Sequence, residues 1–472
     1  MTRREHLRRC WPLTIIAILL APHASAQTTK TFDDIVDEYV AEGLRSNLAL
    51  RTETLEVEKA TAALSEARAR FFPELSLEAR YTRAEGGREI AIPLGSALNP
   101  VYSTLNQMLE AQGQPAQFPQ LTDETVPFLR PREQDTRLVF RQPIFAPAIP
   151  AAVRAQRALL NSSNYRRMAI ARGLRRDITL AYVDWLKARN SVGIVASSED
   201  LLRENLRVNQ SLFDNGKITE DQVLRARSEL LAVEQQKREA SNLSDQARSY
   251  FNFLLNRDLL APIEPTDPPA TETQSPSALE VQWSAALDRR PEIAQVEQLR
   301  KASEEQLRVA RKNRWPTLSL GIDGGTQGEE YRFGRGYNFA TGSLLFTWKL
   351  FDAGADAARV RQARASERQL VLRQEEVAQQ IRLEVQQAYD RLVTARDSLA
   401  TAAARVDAAR AAFRIASRKR DEGVISQVEF MDARNALTSA ELNHNITRFD
   451  VLARRAELEY ATSTGDLPLD PG

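Results

Sequence analysis

Gly216-Lys217-Ile218-Thr219-Glu220-Asp221-Gln222 and Gly423-Val424-Ile425-Ser426-Gln427-Val428-Glu429 are two versions of one turn. Glycine supplies the left-handed backbone angle that ends a helix. Thr219 and Ser426 then stand at N-cap positions, with Gln222 and Glu429 three residues on, the spacing of a capping box. Each turn follows a long heptad stretch and precedes a shorter one, so the chain carries one helical hairpin twice.

Upstream of the second turn, Ile381, Ala388, Ala395, Ala402 and Ala409 recur every seventh residue. Val385, Leu392, Leu399, Val406 and Phe413 do the same, offset by four, and together they form a 4–3 seam. The first half repeats it through Leu174, Ile178, Ala181, Trp185, Ala188, Val192, Val195, Leu202, Leu206 and Phe213, with Glu199 and Asn209 as its polar members. Alanine at so many seam positions implies helices whose axes approach closely. No proline falls between Pro150 and Pro262, or between Pro316 and Pro468. Both stretches therefore permit helices of about 100 Å, at roughly 1.5 Å per residue. The spacing predicts long helices over 150–214 and 353–421, returning helices over 219–256 and 426–462, and opening helices over 34–70 and 284–314.

Between opening and long helix the apolar period changes from 3.6 to 2 in both halves. Phe71-Phe72-Pro73-Glu74-Leu75-Ser76-Leu77 matches Arg314-Trp315-Pro316-Thr317-Leu318-Ser319-Leu320, where proline ends the helix and alternation begins. Leu75, Leu77, Ala79 and Tyr81 share one face, and Leu318, Leu320 and Ile322 another. The second strand of each half runs to Phe145 and to Phe351, with Leu344, Phe346, Trp348 and Leu350 on one side. A long loop, 84–134, joins the first pair, and a short glycine-rich loop, 324–337, joins the second.

The first 26 residues have a basic start, a short apolar core and Ala24-Ser25-Ala26, the pattern of a secretory signal peptide. The single cysteine, Cys10, lies within it, so a cleaved chain carries no thiol and no disulfide. The leader holds four arginines and one glutamate, so the formal charge of +1 becomes −2 without it. Near-neutral charge spread along the chain argues against nucleic-acid binding. His444 is then the sole histidine, and no G-x-x-x-x-G-K-[ST] loop is present. These absences point away from an enzyme, a cofactor or a metal centre. The expected organisation is a leader (1–26), a first repeat (27–261), a proline-rich linker (262–276) and a second repeat (277–472). The expected class is α+β and mostly helical.

Four amphipathic strands cannot close a barrel alone, and a sheet edge open to lipid is not tolerated. If the strands face lipid, several chains must complete the barrel together. The order helix, strand pair, long helix, glycine turn and returning helix, all twice, resembles the TolC-type outer-membrane efflux channels. F-P-E-L-S-L and W-P-T-L-S-L at the strand starts carry the resemblance, with Q-P-I-F-A-P and K-L-F-D-A-G at the strand-to-helix joins. It spans essentially the whole chain after the leader. Pro143, Pro147 and Pro150 crowd the first join where the second has Asp352-Ala353-Gly354, which departs from a strict repeat.

The resemblance implies a homotrimer with a twelve-stranded β-barrel in outer-membrane lipid and a twelve-helix α-barrel through the periplasm. It also implies docking to a periplasmic adaptor protein and an inner-membrane pump. By the same resemblance Glu429 and Asp432 ring the periplasmic mouth, with Gln222 and Arg225 at the equivalent first-half positions. Adaptor docking falls on the tips, Gly216-Lys217 and Gly423-Val424, and the family's aromatic latch position falls on Arg420. Simpler roles compete: Glu429 is already a capping residue, Arg225 a solvated helix residue, and the glycines ordinary helix stops. Phe72, Trp315 and Trp348 suit a membrane-interface girdle, or equally the packing of strand against helix. The expected function is an exit duct for small molecules, with type I protein export or a pore-less coiled-coil scaffold as alternatives.

Overall fold

The computed structural model describes residues 30–267 and 276–468. The expected leader (1–26), residues 27–29, residues 268–275 of the linker and residues 469–472 lie outside them. The two halves repeat one plan. The first runs α1 (Phe32–Ser46), α2 (Leu48–Ala69), β1 (Glu74–Arg83), β2 (Glu89–Ile92), α3 (Leu94–Ala111), β3 (Glu124–Pro127), β4 (Arg132–Phe145), α4 (Ala148–Asp214) and α5 (Glu220–Leu254). The second runs α6 (Leu279–Arg289), α7 (Pro291–Lys312), β5 (Thr317–Gly328), β6 (Asn338–Thr347), α8 (Ala355–Asp421) and α9 (Gln427–Thr462).

The long helices α4 and α8 are each 67 residues. In α8 the seam from Ile381 to Val406 is buried throughout, and Ala409 and Phe413 are half-buried near the tip. In α4 the seam buries Leu174, Ile178, Ala181, Trp185, Val195 and Leu202, together with both polar members, Glu199 and Asn209. The crowding of prolines before α4 now has a cause. Pro147 is the N-cap and Pro150 lies in the first turn, where no intrahelical N–H bond is lost. α8 starts two residues after the expected 353 because Ala353 and Gly354 both take positive φ, 54° and 87°.

Each opening helix is two helices. Asn47 breaks the first, capping α2 by accepting from the Leu50 N–H at 3.1 Å while its amide donates to the Leu254 carbonyl at 2.9 Å. Pro291 breaks the second by occupying the first position of α7. α1 packs Phe32, Ile35, Val36 and Val40 against Ile178 and Tyr182 of α4 and Phe251 of α5. A second core joins α6 and α7 to α8 and α9 through Ala286, Val296, Val385, Leu392 and Leu458. The shorter helices thus brace both long ones at mid-length.

The four long strands form one antiparallel sheet in the order β1-β4-β5-β6, so the two halves meet at β4 and β5. β6 ends at Thr347, so Trp348, Leu350 and Phe351 continue past the sheet rather than within it. β5 runs on to Gly328, leaving a shorter connection than the glycines suggested. A Cβ at Gly325 would meet the Thr136 carbonyl at 2.1 Å, so that glycine permits the strand contact. The register shifts between Pro143 and Phe145, a bulge where proline withholds an N–H from the ladder. The long loop 84–134 is an ordered insertion: β2 and β3 pair antiparallel and enclose α3.

Candidate functional site

At the far tips of α4 and α8 the chain turns identically. The N–H groups of Gly216 and Lys217 donate to Phe213 and Leu212 at 2.8 and 2.9 Å. Those of Gly423 and Val424 donate to Arg420 and Lys419 at 2.9 and 2.7 Å. This double bond pattern satisfies the last helix carbonyls, and the glycines supply φ of 68° and 72°. The following caps differ. Ser426 and Glu429 form the expected box, with the Ser426 N–H donating to the Glu429 carboxylate at 3.2 Å and the Glu429 N–H donating back to Ser426 at 3.3 Å. Thr219 and Gln222 do not, because the Thr219 hydroxyl donates instead to the Asp221 carboxylate.

Glu429 and Asp432 are both exposed at the start of α9. Gln222 is half-buried, and Arg225 is exposed and reaches only Asp221 of its own helix, at 3.9 Å. Arg420 has a more structured place. Its guanidinium lies 3.9 Å from the ring centroid of buried Phe430 and donates to Asn205 of α4 at 3.3 Å. The cation–π contact joins α8 to α9 within the second hairpin, and the hydrogen bond to Asn205 ties that hairpin to the first, in place of an aromatic latch. Val195, Leu202, Leu230, Val233, Phe430 and Met431 pack the same two hairpins together.

Arg434 escaped the sequence reading although it is 4% exposed. Burial pulls its guanidinium below the ordinary value, opposed by the charge of Glu229. The available signal was its place four residues after Phe430, on the same helix face. Ser198 and Thr438 meet at 3.3 Å, and buried Asn445 donates to the Lys187 carbonyl at 2.9 Å, so polar bridges also join α4 to α9.

Glu199 sits in the α4 seam with its side chain 6% exposed, 2.7 Å from Lys237 of α5 and paired with Arg203. The Lys237 hydrogen bond, and then both positive charges, hold its carboxyl below the usual range despite burial. A lowered folded-state value contributes stability above the ordinary carboxyl range, and that contribution is lost as pH falls through the folded-state value. Amide protection around the Glu199–Lys237 pair, taken relative to the intrinsic exchange rate, is therefore expected to fall on acidification. Lys237→Met should lower protection at neutral pH and flatten this acid dependence; an unchanged profile would remove Glu199 from the account.

The sheet has two unlike faces. Residues paired across the ladder share a side, and the register pairs Leu75 with Phe140, Phe140 with Ile322, Leu320 with Leu344, and Leu318 with Phe346. The apolar side is thus continuous over all four strands. It is open to solvent in the single chain, with Leu77 69% and Leu344 64% exposed. The opposite side carries Glu78 against Arg137 at 3.3 Å and Arg80 against Asp135 at 3.7 Å. Phe72, Trp315 and Trp348 are exposed at the helix-side end of the sheet, where the Trp348 indole donates to the Arg314 carbonyl at 3.3 Å. Among the described residues no helix is long and apolar enough to cross a membrane.

Residues 283–464 match the family model described as outer membrane efflux protein. Solved structures align over nearly the whole chain. The CmeC outer membrane channel of Campylobacter jejuni is 17% identical with a TM-score of 0.75, covering 93% of this chain and 88% of that one. The MtrE outer membrane channel of Neisseria gonorrhoeae is 18% identical with a TM-score of 0.70, covering 92% and 89%. The chain has the TolC-like outer-membrane channel fold. For the outer-membrane channel OprN the identity is 20% and the TM-score 0.74, over 92% of this chain and 91% of that one. No curated protein sequence matches the chain. The family match falls within the second repeat, and the likeness in fold covers both. What this TolC-like chain shares with these channels along its whole length is the fold: paired strands at one end and long helical hairpins at the other.

Proposed function

We propose that the chain is the passive exit duct of a tripartite efflux pump. Three copies close one barrel through the free edges of β1 and β6, and the helices continue it as a periplasmic tunnel. The observation that carries this reading is the apolar face running unbroken across four strands of a sheet with two unpaired edges. In lipid an open edge leaves backbone groups unsatisfied at several kcal/mol each, so the edges must be paired by other copies. The chain itself supplies a path and no catalysis. A periplasmic adaptor docks on the tips around Gly216-Lys217 and Gly423-Val424, and an inner-membrane transporter supplies energy and chooses the small-molecule cargo.

At the mouth, Glu429 and Asp432 from three copies place carboxylates around one aperture, a field that favours cations. Gln222 and Arg225 line the same level. Phe72, Trp315 and Trp348 belong at the periplasmic interface of the membrane. Single-channel recording in planar bilayers tests the reading. Discrete conductance steps are expected, and folded protein that never inserts would overturn the duct. Glu429→Gln with Asp432→Asn should enlarge the steps and weaken cation preference. The amide introduced at position 429 keeps an oxygen for the capping bond, so a change reports charge rather than a frayed helix. Unchanged ion preference would remove these two residues from the gate.

A further inference from the structure

Helix α3 presents a regular apolar stripe to solvent. Leu94, Leu98, Val101, Leu105 and Met108 follow 4–3–4–3 spacing, and each is 37–59% exposed. The stripe is held in a fixed direction by another face of the helix, roughly a third of a turn away at 3.6 residues per turn. There Asn99 and Asn106, seven residues apart, grip the returning backbone. Asn99 donates to the Leu121 carbonyl at 2.7 Å and accepts its N–H at 2.8 Å. Asn106 donates to the Phe118 carbonyl at 2.7 Å and accepts its N–H at 3.0 Å. Pro100 lies off the stripe, about a third of a turn away on the side opposite the two asparagines, and α3 stays continuous through it.

The insertion thus uses its polar side chains internally and turns its apolar ones outward. We propose that the stripe is covered by α3 of the neighbouring copies, three such helices meeting in parallel over the outer mouth as a second closure of the duct. Three observations select this occupant. A strict 4–3 stripe is the narrow seam that fits another helix, not the broad face of a helix lying on lipid. α3 carries one charge, Glu110, and none of the lysine or arginine expected of a membrane-surface helix. Finally, the insertion leaves directly from β1, whose free edge is where a neighbouring copy must pair. The inference therefore rests on the closed-barrel reading above.

Cys10 is the only cysteine of the sequence and falls in the expected leader, so single cysteines introduced into α3 report cleanly once Cys10 is removed with it or replaced by serine. Leu105→Cys, Val101→Cys and, as an outward control, Gln107→Cys would be made in the full chain, extracted in detergent and oxidised. A disulfide needs Cα atoms within about 7 Å. The seam variants should yield disulfide-linked pairs of chains in strong excess over the control, while native mass spectrometry shows trimers for all three. In bilayers, Leu98→Ser with Val101→Ser and Leu105→Ser should enlarge the conductance without loss of assembly. Trimers in which the seam variants cross-link no better than Gln107→Cys would overturn the inference and leave the duct reading standing. Monomers throughout would overturn both.

Discussion

Leu344→Arg is expected to abolish accumulation of the assembled protein in the membrane, whereas Ser343→Arg leaves it nearly intact. The two residues are neighbours on β6 and differ only in which side of the sheet they occupy. Leu344 pairs with Leu320 on the continuous apolar face, and Ser343 pairs with Gly321 on the face that carries Glu78, Arg80 and Arg137. Arginine on the lipid side of a barrel costs about 2–4 kcal/mol near the bilayer midplane, once per copy. On the lumen side it meets water. Heat-modifiable electrophoresis of isolated outer membranes reads the folded fraction of each variant. Equal losses, or the reverse order, would contradict the facing of the sheet and with it the duct.

Tyr182→Ala should be the most destabilising single truncation in the helical part. Its side chain is fully buried and touches the rings of Phe32, Tyr39, Trp185 and Phe251. Its hydroxyl donates to the Glu264 carbonyl at 2.8 Å, while the Glu264 N–H donates to the Tyr39 hydroxyl at 2.8 Å. Two tyrosines thus pin the backbone N–H and C=O of one residue at the start of the linker between repeats. Burial raises the Tyr182 phenol above its ordinary value, so it remains a neutral donor across the usable pH range. Removing the ring should cost about 3–5 kcal/mol, by analogy with other large aromatic truncations. Tyr182→Phe should cost about 1 kcal/mol, the worth of one hydrogen bond. Thermal unfolding of the detergent-extracted protein separates the two. A phenylalanine variant as unstable as the alanine one would shift the weight from packing to the linker clamp.

Much of this architecture was legible because period and punctuation are local. Gly216, Gly423 and the absence of interior prolines mark the long hairpins within a residue or two. The change to period 2 after Pro73 and Pro316 marks the strands. The errors were local as well. Pro291 was a legible helix break, whereas Asn47 breaks the first opening helix through a bond to Leu254, more than two hundred residues away. Thr219 has capping-box spacing, yet Asp221 competes for its hydroxyl, and sequence spacing cannot decide between two nearby acceptors. In the insertion over 84–134 the 4–3 stripe of α3 was legible and was missed, whereas the order of the returning segment depends on Asn99 and Asn106 binding backbone, which no sequence period marks.

By itself the sequence determined the duplication, the length of the helices and the alternation of the strands, since these follow from backbone conformations that each residue prefers next to its neighbours. Only the tertiary structure decided that β4 of one repeat pairs with β5 of the other, in the register that makes one apolar face of four strands. It also decided that Arg420 reaches Asn205 across the hairpins, and that the stripe on α3 faces outward. Those are contacts between segments far apart in the chain, and a ladder register or a helix rotation is set by the partner that fills it.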